Sequence, residues 1–175
     1  MLANIARRYC GGRARFTQQQ NLAFLWVRDE ALYQVWKELG AAGFAEGETN
    51  AITDVTACPA TDSCKMGITS SMGLTSAVTG ELLDMGISDP LAKGLRIKIS
   101  GCPNSCGQHH LANIGFQGGS MKVEKGNQVP AYEILVSGSY QGLNGQNETR
   151  IGLRPRRKIP AEMVPQFTRR LLEYY

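Results

Sequence analysis

Four of the five cysteines in this 175-residue chain fall into two pairs. Cys58 and Cys64 enclose PATDS, Cys102 and Cys106 enclose PNS, and thirty-seven residues separate the pairs. Thiols of this kind serve as nucleophiles, redox partners or metal ligands, and the setting discriminates among these roles. Each pair lies in a loop of proline, glycine, asparagine and serine directly after a strand-like run, ITDVTA before the first and LRIKIS before the second. Loops that leave neighbouring strand ends can converge, which would gather four thiolates around one metal centre. Backbone N–H groups in such turns point inward and hydrogen-bond the anionic sulfur. Structural zinc favours about two to four intervening residues in each pair, so the five-residue gap weighs against it. The C-x-x-C of a redox dithiol is absent from the sequence. Spacing therefore ranks iron–sulfur ligation first and leaves zinc open. Cys10, beside Gly11-Gly12, stands apart as an unligated thiol.

The elements that must position these loops follow from pattern. LANIARRY reads as the last turns of an amphipathic helix, stopped by Gly11-Gly12. Runs at Ala14–Thr17 and Leu22–Val27 read as strands around a polar segment. Asp29 is a candidate N-cap for a helix to Leu39 that places Leu32, Val35, Trp36 and Leu39 on one face. Trp26 and Trp36 are expected in the core. Ile52–Thr56 is a candidate short strand, Gly67–Met85 a helix rich in small residues, and Leu95–Ser100 a strand that delivers the chain into GCPNSC. Strands are expected at Asn113–Phe116, Met121–Glu124 and Tyr132–Ser137, joined by glycine turns, and an amphipathic helix at Pro160–Tyr175. The abrupt first helix and the uncapped last one read as the ends of a truncated chain.

Composition limits the function classes. Hydrophobic residues at 42% and charged ones at 19% indicate a folded chain. The net charge of +4 suits a small anionic substrate or an acidic partner without requiring either. The basic run Arg154–Lys158 (RPRRK) carries no interleaved aromatics and reads as a solvated loop, so no nucleic-acid partner is expected. No apolar run reaches the roughly 18 residues of a membrane helix, and no signal peptide opens the chain. The expected compartment is the cytoplasm, where cysteines are metal ligands or catalysts before they are disulfides. The sequon at Asn147–Thr149 then reads as a chance match.

Beyond the cysteines, C-x5-C followed at a distance by G-C-P-N-x-C resembles the cofactor signature of the sirohaem-dependent nitrite and sulfite reductases. RARFTQQQNLAF resembles that family's repeated strand motif. VTACPATDSCKMGITSSMGL and GCPNSCGQHHLANIGFQGG resemble its two cofactor loops with the segments that follow, and IPAEMVPQFTRRLLEYY resembles its closing helix. The likeness spans nearly the whole chain. It implies an α+β fold of mixed and antiparallel sheets with flanking helices, of the nitrite/sulfite reductase 4Fe–4S type. It implies two parts, residues 1–49 as a second, N-terminally truncated ferredoxin-like half-domain and residues 50–175 as a 4Fe–4S and sirohaem-binding domain.

Residue by residue, the resemblance implies that Cys58, Cys64, Cys102 and Cys106 hold a 4Fe–4S cluster. Cys106 would also be the axial ligand of the sirohaem iron. One sulfur has lone pairs enough to bridge two centres and couple them. Asn104 would contact the macrocycle or fix the turn. The implied reaction is the six-electron reduction of sulfite to sulfide or of nitrite to ammonia, with electrons from ferredoxin or a flavoprotein. The basic residues that bind substrate would belong mainly to an earlier copy of the repeat, upstream or on another subunit. Gln19 stands where first copies carry arginine. Arg13 and Arg15 would face a sirohaem acid group or simply the strand surface. His109 and His110 are expected to begin a helix, with at most one of them on the haem side as a proton relay. The reading from another class is a non-catalytic module in which the same four cysteines hold a cluster or zinc.

Overall fold

The computed structural model describes residues 1–45, 50–139 and 149–175, and the chain divides into two compact units, Met1–Thr49 and Asn50–Tyr175. The first unit starts with helix α1 (Leu2–Cys10), which ends on Gly11 in the left-handed conformation (φ 59°). Strands β1 (Ala14–Phe16) and β2 (Leu22–Phe24) form an antiparallel pair with Arg15 opposite Ala23. A 3-10 turn over Asp29–Ala31 leads into helix α2 (Leu32–Ala41). The helix therefore starts three residues after Asp29, whose side chain makes no capping bond.

The expected burial of the two tryptophans is overturned. Trp26 is 80% exposed and Trp36 56% exposed, the latter leaning on Tyr33 with ring centroids 5.8 Å apart. Among the described residues of this unit the buried apolar side chains are Ile5, Ala6, Cys10 and Val35. A core that small has no room for large rings.

The second unit is built on a five-stranded mixed sheet in the order β3-β4-β5-β6-β7. Strand β3 (Thr56–Ala57) is shorter than the Ile52–Thr56 expected and begins where that run ends. Helix α3 (Ser71–Met85) starts four residues later than the pattern suggested, because Ser70 accepts a bond from the Gly73 N–H and caps it. Its buried stripe is Ser71, Leu74, Val78 and Leu82, one residue per turn. The short helix α4 (Pro90–Lys93) is capped by Asp89, whose carboxylate accepts from the Leu91 and Ala92 N–H groups at 2.7 and 2.9 Å.

Strand β4 (Ile97–Ser100) is buried along its whole length, as a central strand should be. It pairs in parallel with β3 on one side and with β5 (Ile114–Lys122) on the other. β5 then pairs antiparallel with β6 (Gln128–Val136), and β6 with β7 (Lys158–Pro160). Two expected strands, Asn113–Phe116 and Met121–Glu124, are thus one continuous strand. Gly118 and Gly119 do not turn the chain. A side chain at Gly118 would run into Thr69 and Gly101, so this glycine clears space for the segments above it. Of the RPRRK run, Lys158 opens β7 and Arg154 engages Gln117 and Glu133 at 3.1 and 3.5 Å.

Helix α5 (Val164–Glu173) packs beside α3, and Arg169 pairs with Glu81 between them. Leu74, Val78 and Leu82 of α3 join Ile97, Ile99, Phe116, Tyr132 and Val164 in one apolar core on this face of the sheet. The sequon at 147–149 falls mostly outside the described residues. Among the described residues no helix is long and apolar enough to cross a membrane.

Candidate metal centre

Both cysteine pairs leave the same end of two adjacent parallel strands. Thr56 lies opposite Lys98 and Ala57 opposite Ile99, so Cys58 and the Gly101–Cys102 step emerge side by side. The Cys58 N–H extends the ladder by one bond, donating to the Ile99 carbonyl at 3.2 Å. The strand pairing thus brings together the starts of two loops that are far apart in sequence.

The first loop turns tightly through a 3-10 segment at Ala60–Asp62. The Cys64 N–H donates to the Ala60 carbonyl at 2.7 Å, and the Gly67 N–H to the Cys64 carbonyl at 3.0 Å. It then lies against the second loop. The Ile68 and Thr69 N–H groups donate to the Gly101 carbonyl at 2.9 and 3.1 Å, and the Thr69 hydroxyl donates to it at 3.3 Å. In return the Gly101 N–H donates to Cys58 Sγ at 3.3 Å. Gly101 ties the loops through both of its backbone polar groups. A Cβ there would lie 2.6 Å from the Thr69 carbonyl oxygen and collide with Ala60, which is why this position is glycine.

Ser71 completes the Cys58 surroundings. Its buried hydroxyl donates to the Cys58 carbonyl at 2.5 Å and lies 3.6 Å from the sulfur. Beneath, the Tyr132 hydroxyl is sealed in the interior with no hydrogen-bond partner. Burial pushes the phenol pKa up, and the polar groups that act on it are Thr69 and Cys58.

The second loop runs from Gly101 to the start of β5. The Gly107 N–H donates to Ser100 Oγ at 3.1 Å, and the Gln108 N–H to the Ser105 carbonyl at 2.8 Å. Buried Lys98 reaches the Gln108 side-chain oxygen at 3.5 Å, and burial lowers its pKa. Ala60, Ser105 and Gln108 all adopt positive φ, at 43°, 58° and 58°. Non-glycine residues held in that region are costly, and they gather where a site imposes its own geometry.

Cys58 and Cys102 are buried, whereas Cys64 and Cys106 are exposed. Among the described residues no three His, Cys, Asp or Glu side chains converge closely enough for a single ion. Asn104 reaches across the loops, with its amide nitrogen 3.9 Å from Met66 Sδ. Cys10 is remote in sequence from both loops, and its buried thiol faces the Ala6 and Arg13 carbonyls at 3.1 and 3.2 Å.

The histidines behave differently from the expected helix start. His109–Leu111 is a single 3-10 turn before β5. His109 is 2% exposed, its Nδ1 has no hydrogen-bond partner, and its pKa falls to about 4 because of burial and then the His110 charge. It is neutral at pH 7. His110 is half-buried, and its Nδ1 bonds the Ser105 hydroxyl, so it props the loop beside Cys106. Arg13 and Arg15 are exposed residues of the first unit.

Residues 48–175 match the family described as nitrite and sulphite reductase 4Fe-4S domain. The chain belongs to the nitrite and sulfite reductase family. Residues 1–42 match the companion description, nitrite/sulfite reductase ferredoxin-like half domain. The cofactors that membership implies are a 4Fe–4S cluster and sirohaem. Among its relatives, the chloroplastic ferredoxin–nitrite reductase of Oryza sativa subsp. japonica is 31% identical over 137 residues, which cover 78% of this chain and 22% of that protein. Sulfite reductase [ferredoxin] 2 of Mycolicibacterium paratuberculosis is 28% identical over 142 residues, 79% of this chain and 25% of that one. The assimilatory-type sulfite reductase of Nitratidesulfovibrio vulgaris is 25% identical over 174 residues, covering 99% of this chain and 71% of its own length. The chain thus spans about a quarter of the first two reductases. The solved structure of the Mycobacterium tuberculosis NirA protein shares the fold, with a TM-score of 0.75 at 23% identity over 99% of this chain and 32% of that one.

Within this reductase fold, sequence reasoning missed Ser71, Thr69, Gly101 and Tyr132. Gly101 carried a signal, since it directly precedes CPNSC at the end of a strand. Tyr132 carried none, because its relation to Cys58 arises only through the β5–β6 pairing.

Proposed function

We propose that Cys58, Cys64, Cys102 and Cys106 are the ligands of a 4Fe–4S cluster, and that Cys106 is also the axial ligand of a sirohaem. The chain is then the cluster-bearing part of a reductase acting on sulfite or nitrite, to sulfide or ammonia in six electrons. The observation that carries this reading is the interlock at Gly101, which holds two cysteine loops together beyond the ends of two adjacent strands. When bound, the cofactors supply stepwise electron transfer and an open metal coordination position for the oxyanion.

The chain's own residues do the rest. The Gly101 N–H stabilises negative charge on the Cys58 sulfur. Exposure of Cys106 leaves its sulfur accessible to a second centre, while burial of Cys58 and Cys102 keeps water from theirs. Asn104, exposed in the same loop, would contact the macrocycle or fix the turn. The names of the rice and mycobacterial relatives support ferredoxin as donor, with a flavoprotein as the other choice. The basic groups that neutralise a bound anion would come from the earlier repeat or another subunit. Residues 1–49 are, on this reading, the second ferredoxin-like half-domain, and the protein works in the cytoplasm.

Anaerobic reconstitution tests the assignment. Four irons and four sulfides should bind per chain, with broad cluster absorption. Added sirohaem should give Soret and long-wavelength bands that shift with sulfite or nitrite. Cys106→Ser should lose both chromophores and Cys10→Ser neither. Stoichiometric zinc without a chromophore would refute the redox reading.

A further inference from the structure

A thiolate that ligates iron keeps lone pairs free to accept hydrogen bonds, and the donors it receives decide how readily extra negative charge is held there. At Cys58 the protein supplies one such donor openly, the Gly101 N–H at 3.3 Å. Ser71 lies close enough to be a second, but its single hydroxyl proton is committed to the Cys58 carbonyl at 2.5 Å. The Thr69 hydroxyl proton is likewise committed, to the Gly101 carbonyl.

One donor near this corner remains unspent. Tyr132 is fully buried, and its hydroxyl has no hydrogen-bond partner among the described residues. An orphaned buried hydroxyl is costly and rare, and each case calls for a cause. Its placement supplies one. Tyr132 lies opposite Gly118 across the β5–β6 pair, so its side chain leaves the sheet on the face where a Gly118 side chain would meet Thr69 and Gly101. That face carries the two cysteine loops. The ring is fixed edge-on against Phe116, with centroids 6.4 Å apart. A rigid, partnerless hydroxyl therefore sits beneath the Cys58 corner.

We infer that the Tyr132 hydroxyl is a hydrogen-bond donor reserved for the anionic sulfur at the Cys58 corner of the bound cluster, where it tunes the cluster's reduction potential. The inference rests on the proposed cysteine assignment. It makes Tyr132 a positioning and tuning residue, not a catalytic one, since it touches no substrate. Ser71 and Thr69 have a supporting part, because their own hydroxyl protons are spent on the neighbouring carbonyls and are not offered to the sulfur in place of the phenol's.

Tyr132→Phe removes the oxygen and keeps the ring. In the reconstituted full chain, the midpoint potential followed by electron paramagnetic resonance should fall. A tenfold loss in the ratio of reduced to oxidised cluster at fixed potential corresponds to about 59 mV for one electron. Iron and sulfide content should match the wild type. The cluster-free variant should melt no lower than the wild type, because the lost hydroxyl had no protein partner. An unchanged potential with full cluster content overturns the inference and leaves the cysteine assignment standing. So does a lower melting temperature of the cluster-free form with no change in potential, which would mark a purely structural hydroxyl. A wild-type chain that binds no iron and sulfide overturns the cysteine assignment, and this inference with it.

Discussion

His109 shows how one buried side chain couples the loop to solution conditions. Its ring is buried in the turn that leads from the second cysteine loop into β5, and burial lowers its pKa to about 4. The unfolded chain takes up a proton near pH 6.5, whereas the folded chain does so only near pH 4. Between those values the unfolded state binds more protons, so stability rises with pH. It is fully present above about 6.5 and is lost as pH falls toward 4. Linkage sets an upper bound of roughly 3 kcal/mol for this group. Urea unfolding of the wild type should therefore weaken from pH 7 to pH 5, and His109→Leu should flatten that dependence. A variant with the wild-type slope would show that other groups carry it. No composition or spacing argument reached this point. The adjacent histidines are chemically alike, and only the β5 pairing decides that His109 is inside and His110 props Ser105.

At the scale of elements, the strand β5 and the two loops constrain each other. Gly118 lies beneath Gly101 and Thr69, and a methyl group there would meet backbone atoms that cannot move aside. Gly118→Ala should destabilise the second unit by about 1–3 kcal/mol through overpacking and should lower iron and sulfide uptake on reconstitution. Gly119→Ala, whose added carbon would meet nothing closer than the Lys158 ammonium at 3.7 Å, is the matched control. Two ordinary alanines with full cofactor uptake would show that the loops yield. The same pair explains why strand continuity was illegible in sequence. Two adjacent glycines read locally as a turn, yet Gly118 makes room for Gly101 and Thr69, seventeen and forty-nine residues earlier. The cysteine loops were legible for the opposite reason. Their turn residues, their preceding strands and their ligands are all local, and the parallel pairing of β3 with β4 does the rest.

At the scale of the whole molecule, the two units have separate interiors and separate optical labels. Both tryptophans, Trp26 and Trp36, belong to the first unit and are largely exposed. Native tryptophan emission should be red-shifted and readily quenched by iodide. In denaturant, the anisotropy of tryptophan emission should report the first unit, and visible absorption of the reconstituted cluster the second. Non-coincident transitions are the expected result, since units with their own cores need not unfold together. A blue-shifted, poorly quenched emission would contradict the exposure described. The sequence pattern could place Trp36 on the apolar face of a helix, but not reveal how little interior that face would meet.

The parallel pairing of β3 with β4 acts as a ruler. Thirty-seven residues lie between the cysteine pairs, yet that number sets no distance in the site. Residues between α3 and α4 could be added without moving a sulfur. One residue added just before Cys58 would turn its side chain to the opposite face of the sheet and displace it by about 3.3 Å along the strand. Within such proteins, length should drift freely between the pairs and hardly at all in the single step from strand to cysteine.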